Sequence, residues 1–135
     1  MWRTVAAVVA GLVAWAVVVT LLNFGLRAAL PGYHSAEATL QFTIAMKAGR
    51  LIEAAITSIA AGMVVGWIAP SNRWVSWLVG AIVLAMFLPV HLSLWNRFPV
   101  WYHLAFLVPL VPLVVLGARL TRGPLPDGTR ALTAS

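Results

Sequence analysis

Four long stretches without formal charge, separated by short polar turns, constrain this chain more than any other feature. No charge lies between Arg3 and Arg27, between Arg73 and Arg97, or between Arg97 and Arg119, and the stretch from Leu51 to Asn72 carries only Glu53. A helix needs about 20 apolar residues to cross the ~30 Å hydrocarbon core of a bilayer. Backbone polar groups in lipid must be satisfied within the protein, so such stretches predict membrane-spanning helices.

Composition agrees. With 62% hydrophobic and 9% charged residues, and a mean hydropathy of +0.96, the chain lacks the charge that a water-soluble surface needs. The formal net charge of +6 does not indicate nucleic acid. The nine basic residues stand singly near segment ends, without the patch or aromatic interleaving of a binding groove. They suit helix-end anchors that meet anionic headgroups. The absence of cysteine excludes thiol nucleophiles, disulfide exchange, iron–sulfur clusters and cysteine-type zinc sites.

The expected helices cover about 4–26, 36–69, 74–95 and 99–120, in one domain over 1–120, followed by a polar tail over 121–135. The first run is too long for a signal-peptide core and reads as a retained helix. Pro31-Gly32 breaks the chain after it. Ser35 is the expected N-cap of the second helix, with Glu37 in its positive first turn. Pro70-Ser71-Asn72 and Asn96-Arg97-Phe98 form the later turns, and Pro99 suits the first position of the fourth helix. Short turns make the last three helices up-down-up neighbours.

Both termini then share one side, with Arg3, Arg73, Arg119, Arg122 and Arg130, while Arg27, Lys47, Arg50 and Arg97 fall on the other. The positive-inside rule favours cytoplasmic termini. Trp74, Trp77, Trp95, Trp101 and Tyr102 fit interfacial aromatic belts. Ala54, Ser58, Gly62 and Gly66 form a small-residue ridge on the second helix, and Ala6, Ala10 and Ala14 form one on the first. Such ridges let backbones approach closely; they suit either a contact between these two helices or a dimer face.

Polar groups inside a span carry the functional expectations. Reflected across the two later turns, Glu53, His91 and His103 lie at nearly one depth, roughly 6–9 Å inside the boundary at ~1.5 Å per residue. Asn23 belongs to the same half of the bundle. Arg50 and Glu53 stand one turn apart and can pair directly. That pair either anchors the helix or forms a site where Arg50 holds an anion and Glu53 exchanges a proton. His91, His103 and Glu53 also match the ligand types of a metal site, and haem ligation is a related option. Hydrogen-bonded anchoring beside tryptophans is the alternative. The metal and cofactor are left open. No nucleophile elbow, phosphate loop or metalloprotease motif occurs.

The segment His91-Leu-Ser-Leu-Trp-Asn-Arg-Phe-Pro-Val-Trp-Tyr-His103, with Pro109, Pro112 and Leu116-Gly117-Ala118-Arg119-Leu120, resembles a group of small bacterial four-helix inner-membrane proteins of unknown function. The resemblance covers roughly 1–120. It implies a bacterial inner-membrane location and the four-helix fold, and it transfers no catalytic residue.

The sequence therefore predicts an all-α, integral membrane four-helix bundle, up-down-up-down, with the lipid bilayer as partner and no nucleic acid. The leading functional expectation is a non-enzymatic accessory or scaffold subunit of a larger membrane complex or homo-oligomer. The alternative is a small binding or transport protein using Asn23, Arg50, Glu53, His91 and His103.

Overall fold

The computed structural model describes residues 1–122, and all of its regular elements are helices. They are α1 (Trp2–Ala29), α2 (Tyr33–Thr39), α3 (Ile44–Ile68), α4 (Trp74–Ser93), α5 (Val100–Leu107) and α6 (Leu110–Thr121). Four spans are long and apolar enough to cross a membrane: α1, α3, α4 and the combined 22-residue run of α5 and α6.

Hydrogen bonds between distant residues fix the topology. At one end, Asn72 donates to the Thr4 hydroxyl at 3.0 Å, and Arg122 donates to the Asn72 carbonyl at 3.0 Å. The start of α1, the α3–α4 turn and the end of α6 therefore meet there, at what is called here the terminal end. Arg27, α2 and the α4–α5 turn lie at the opposite, loop end. The spans alternate up and down, as the short turns require. Arg130 and most of the expected tail fall outside the described residues.

The single second helix expected over 36–69 is two helices set apart. Gly32 enters a left-handed turn at φ 77°, and α2 begins at Tyr33, so Ser35 lies inside α2 and does not cap it. α2 ends at Leu40, which adopts a left-handed φ of 58°. A residue with a Cβ is disfavoured there, by about 1–2 kcal/mol. The chain then reverses, and Thr43 caps α3 by accepting from the Met46 amide at 3.2 Å. A Thr beside the apolar run was the available signal. The fourth span is interrupted at Val108–Pro109. Pro109 has no N–H to continue the helix, whereas Pro112 sits in the first turn of α6, where no such bond is needed.

The small-residue ridge of α3 faces α6, not α1. A Cβ on Gly62 would collide with the Val114 carbonyl oxygen, and one on Gly66 with the Ala118 carbonyl oxygen. α6 answers with Gly117, where a Cβ would strike the Ile59 carbonyl oxygen. Thr121 adds a hydrogen bond to the Met63 carbonyl at 2.8 Å. Glycines on both helices let the backbones touch, and in lipid that contact replaces the hydrophobic drive that water would supply.

The ridge on α1 is displaced by one residue from the expected Ala6, Ala10 and Ala14. The buried positions are Ala7, Gly11 and Trp15. Gly11 meets the Val65 side chain, where a Cβ would stand 2.7 Å away. α3 is thus flanked by α1 and α6, and α4 packs mainly on α6; α3 and α4 share little of their length despite the turn that joins them. They are not the side-by-side neighbours that the short turn suggested, because a turn fixes only the ends of two helices.

The α3–α6 contact is testable. Gly117→Ala should destabilise the bundle by about 1–3 kcal/mol, the usual cost of overpacking. Gly25, with no atom within 4 Å of an added Cβ, serves as control, and Gly25→Ala should be neutral or stabilising by up to ~1 kcal/mol. Thermal unfolding of both variants in detergent reads the difference; equal effects would mean that the glycine contact is unimportant.

Candidate functional site

Arg50 anchors the loop end. It leaves α3 between three aromatic residues, Tyr33 of α2, Phe42 of the α2–α3 loop and Tyr102 of α5. Its Nε donates to the Tyr102 hydroxyl at 3.1 Å, and its Nη1 donates to the Tyr33 hydroxyl at 2.9 Å. Its Cζ lies 4.9 Å from the centre of the Phe42 ring, within cation–π range. The chain has only two tyrosines, and both bind this guanidinium. Tyr102 is buried, at 3% exposure, so it is a site residue and not the interfacial belt residue expected from sequence. Tyr33 is buried against Ala36 and Met46. Burial pushes its phenol above the ordinary value, against the opposing pull of Arg50. It remains a neutral partner that does not cancel the arginine charge.

The pair expected between Arg50 and Glu53 is not formed. Among the described residues the carboxylate contact with an arginine is Arg27 with Glu37, at 2.8 Å, and the His34 ring nitrogen lies 3.5 Å from the same carboxylate. Arg50 turns upward to the tyrosines, and Glu53 is buried one turn below, with Oε1 lacking a hydrogen-bond partner. Thr57 and Ser58 continue this buried polar step, and their hydroxyls are also unpartnered. A guanidinium has five N–H donors, of which the tyrosines use two. Among the described residues, the remaining edge meets no acceptor.

His91 and His103 come together. Their Nδ1 atoms are 2.8 Å apart, and the rings meet edge to face. Trp95 stacks on His103 at 4.7 Å between centres, and Phe106 lies 4.5 Å from His91. Both histidines are buried, His103 completely. The tight α4–α5 turn brings them together, since α4 and α5 run antiparallel from it. Glu53 does not join them as a ligand. Among the described residues, no three His, Asp or Glu side chains form a set that could hold a metal. Depth matched across the turns, but the rotation of α3 sends Glu53 elsewhere.

These parts surround one cavity of about 310 Å³. Arg50, His91, Asn23 and Glu37 supply its polar wall. Phe42, Phe87, Phe98 and Phe106 supply much of the apolar wall. The strained Leu40 also borders it. Asn23 has a buried Oδ1 without a partner. Neither Glu53 nor His103 lines the cavity; His103 reaches it only through His91. Sequence reasoning missed Tyr33, Tyr102 and Phe42 as site residues: Tyr33 and Phe42 required knowing that the chain folds back at Leu40, and Tyr102 required the rotation of α5 against α3.

An ion pair ties α2, which borders the cavity through Glu37, to α1. Arg27 at the end of α1 donates to Glu37 of α2. Burial pushes the Glu37 carboxyl up, but the hydrogen bond and charge of Arg27 outweigh this and hold it below its ordinary value. No family model matches the chain, nor does any curated protein or solved structure.

A lowered folded-state pKa means that the Arg27–Glu37 contribution is complete above the ordinary carboxyl value, 4.5. It is lost as pH falls through the depressed value. Hydrogen exchange of the α2 amides should therefore accelerate, relative to α3, as pH falls below about 4.5. In Arg27→Gln this acid-dependent loss should shrink, and an unchanged profile would exclude the ion pair as the clasp.

Proposed function

We propose that this chain is a small multi-pass membrane protein that binds a compact organic anion in its loop-end cavity, as a binding or transport protein. The observation that carries this reading is Arg50: a cation held by two phenol hydroxyls and a phenyl face, with donors left over, on the wall of a cavity that supplies no paired carboxylate. A charge removed from water is costly unless it is paired. A carboxylate or phosphate oxygen in the cavity completes the set with charge-assisted hydrogen bonds. A volume of about 310 Å³ lies at the small end of ligand pockets, which run ~300–1,000 Å³. The phenyl-rich wall favours an apolar body behind the anionic group.

Glu37 does not oppose this reading, since its charge is taken up by Arg27. The phenol hydroxyls hold the guanidinium plane in place, so an anion meets a preorganised donor edge. This is ligand binding without a catalytic constellation, consistent with the absence of a nucleophile motif.

The test uses purified full chain in lipid-free detergent, with benzoate, benzamide and inorganic phosphate as probes. Benzoate should bind, and benzamide, the neutral isostere, should not. Arg50→Gln should weaken benzoate binding about 10- to 100-fold, the loss expected for a charged hydrogen-bonding partner. Phosphate binding with no benzoate binding would redirect the reading to a phosphate group. Nanodiscs with anionic and with neutral lipid separate a free anion from a lipid headgroup, because a headgroup ligand makes benzoate competition depend on the anionic lipid.

The membrane in this reading is the bacterial inner membrane, with both termini cytoplasmic. Arg3, Arg73, Arg119 and Arg122 gather at the terminal end, whereas Arg27 is neutralised by Glu37 and Arg50 is withdrawn into the site. Burial, Arg73 and Arg119 together lower the Arg122 pKa, a crowding that an anionic leaflet relieves. A periplasm-active reporter at the C-terminus should be silent, and one inserted in the α4–α5 turn should be active. The opposite pattern inverts the orientation.

A scaffold role is the second reading. Its support is α1, whose Val5, Val9, Val13, Val17 and Leu21 form an exposed apolar stripe. Lipid covers such a stripe as well as a partner helix does, and so the cavity carries the conclusion.

A further inference from the structure

His91 and His103 hold a proton in a place where the cavity can use it. With Nδ1 atoms 2.8 Å apart, one hydrogen lies between them, because two bare nitrogens repel and two N–H groups clash. A neutral imidazole carries its hydrogen on one nitrogen only. Two arrangements of the neutral couple follow. If His91 donates, its Nε2 is bare and His103 carries hydrogen on Nε2. If His103 donates, its Nε2 is bare and His91 carries hydrogen on Nε2.

Two further observations distinguish the outer nitrogens. His91 lines the cavity and His103 does not. The Nε2 of His103 is sealed from solvent and has no hydrogen-bond partner, while that of His91 is not among the sealed, unpartnered atoms. The couple therefore has one end facing the cavity and one end buried.

We propose that the His91–His103 couple links the cavity to protons: an anion enters beside Arg50 together with one proton, which the couple takes up. This rests on the binding reading above. The added proton goes from water at the loop end to the bare Nε2 of His91, in the arrangement where His91 donates through Nδ1. The couple then carries three hydrogens on four nitrogens, keeps the Nδ1–H···Nδ1 bond, and gains one positive charge. His91 Nε2–H faces the anion in every such state, beside the Arg50 donors.

Charge balance points the same way. The cavity that His91 lines also has Arg50 from α3, Tyr102 from α5, Glu37 from α2 and Asn23 from α1 on its wall, and His103 of α5 touches His91 from behind; Tyr33 binds Arg50 and Arg27 binds Glu37. Arg27 and Glu37 cancel. Glu53, when ionised, offsets part of the Arg50 charge from one turn away without pairing with it, so an entering anion leaves a remainder of negative charge in a poorly hydrated site. A proton on the couple removes it. Linkage is reciprocal, so the anion raises proton affinity as much as the proton raises anion affinity.

The experiment is benzoate titration of the full chain by calorimetry, between about pH 6 and 9, where the carboxylate stays ionised. Buffers of different ionisation heat report proton uptake. Affinity should fall as pH rises, by up to about tenfold per pH unit, with up to about one proton taken up per benzoate. His91→Gln should flatten the pH dependence and remove the uptake while retaining residual binding through Arg50. Histidine nitrogen NMR of the unaltered chain gives a readout that needs no variant: benzoate should protonate both Nε2 positions while the Nδ1 hydrogen stays shared. Benzoate binding with pH-independent affinity overturns this inference and leaves the binding reading standing. Proton uptake that survives His91→Gln but vanishes in Glu53→Gln also overturns it, assigning the proton to Glu53. Absence of benzoate and phosphate binding at every pH overturns both readings.

Discussion

The backbone contact between α3 and α6 sets the geometry of everything above it. Hydrocarbon gives two apolar helices no solvent-driven reason to associate, so their contact must come from close fit. Gly62, Gly66 and Gly117 remove the side chains that would hold the helices apart. The register they impose is carried upward through the same span into α5. It is this register that places Tyr102 over Arg50 and His103 beside His91. The terminal half of the bundle is an apolar and small-residue foundation, and the polar chemistry is concentrated at the loop end.

That division has an energetic logic. Buried polar groups stabilise only when fully satisfied, and a half-satisfied network is destabilising. At the terminal end Asn72, Thr121 and Arg122 bind backbone carbonyls or a side-chain hydroxyl, and Arg122 Nε is the buried polar atom left without a partner there among the described residues. At the loop end several groups are left incomplete: the outer edge of Arg50, Asn23 Oδ1, Glu53 Oε1 and His103 Nε2. Two of these, Arg50 and Asn23, line the cavity, where an incomplete group is costly for the empty bundle and useful to one that holds a ligand. The left-handed Leu40 on the same cavity adds backbone strain in the same place, and strain of this kind concentrates at binding sites.

The α1–α2 clasp and the site are built from opposite treatments of charge. Arg27 and Glu37 meet near the surface, where pairing satisfies both and clasps α2 to α1. Arg50 and Glu53 are one helical turn apart and yet separate, because the two phenols hold the guanidinium away from that carboxylate. Helical spacing permits an ion pair, but competing partners decide whether it forms. The phenols leave the arginine charge in place, and that charge gives the cavity its preference for anions.

What the sequence determined by itself was whatever depends on length, charge and local turns. The four uncharged runs define the spans, since hydrocarbon thickness is a one-dimensional constraint. The Arg97 turn was tight enough to place His91 and His103 at one level, and antiparallel helices beyond such a turn bring equal offsets together. Only the tertiary structure decided rotation and partnership. Depth along a helix says nothing about the direction a side chain faces, so Glu53 shared a level with the histidines without sharing their site. The small-residue ridge was visible in α3, but its partner was settled by the fit of Gly117 between two backbones. Tyr33 and Phe42 reach Arg50 only because the chain folds back at Leu40. That reversal depends on contacts between residues far apart in the chain, which local pattern does not encode.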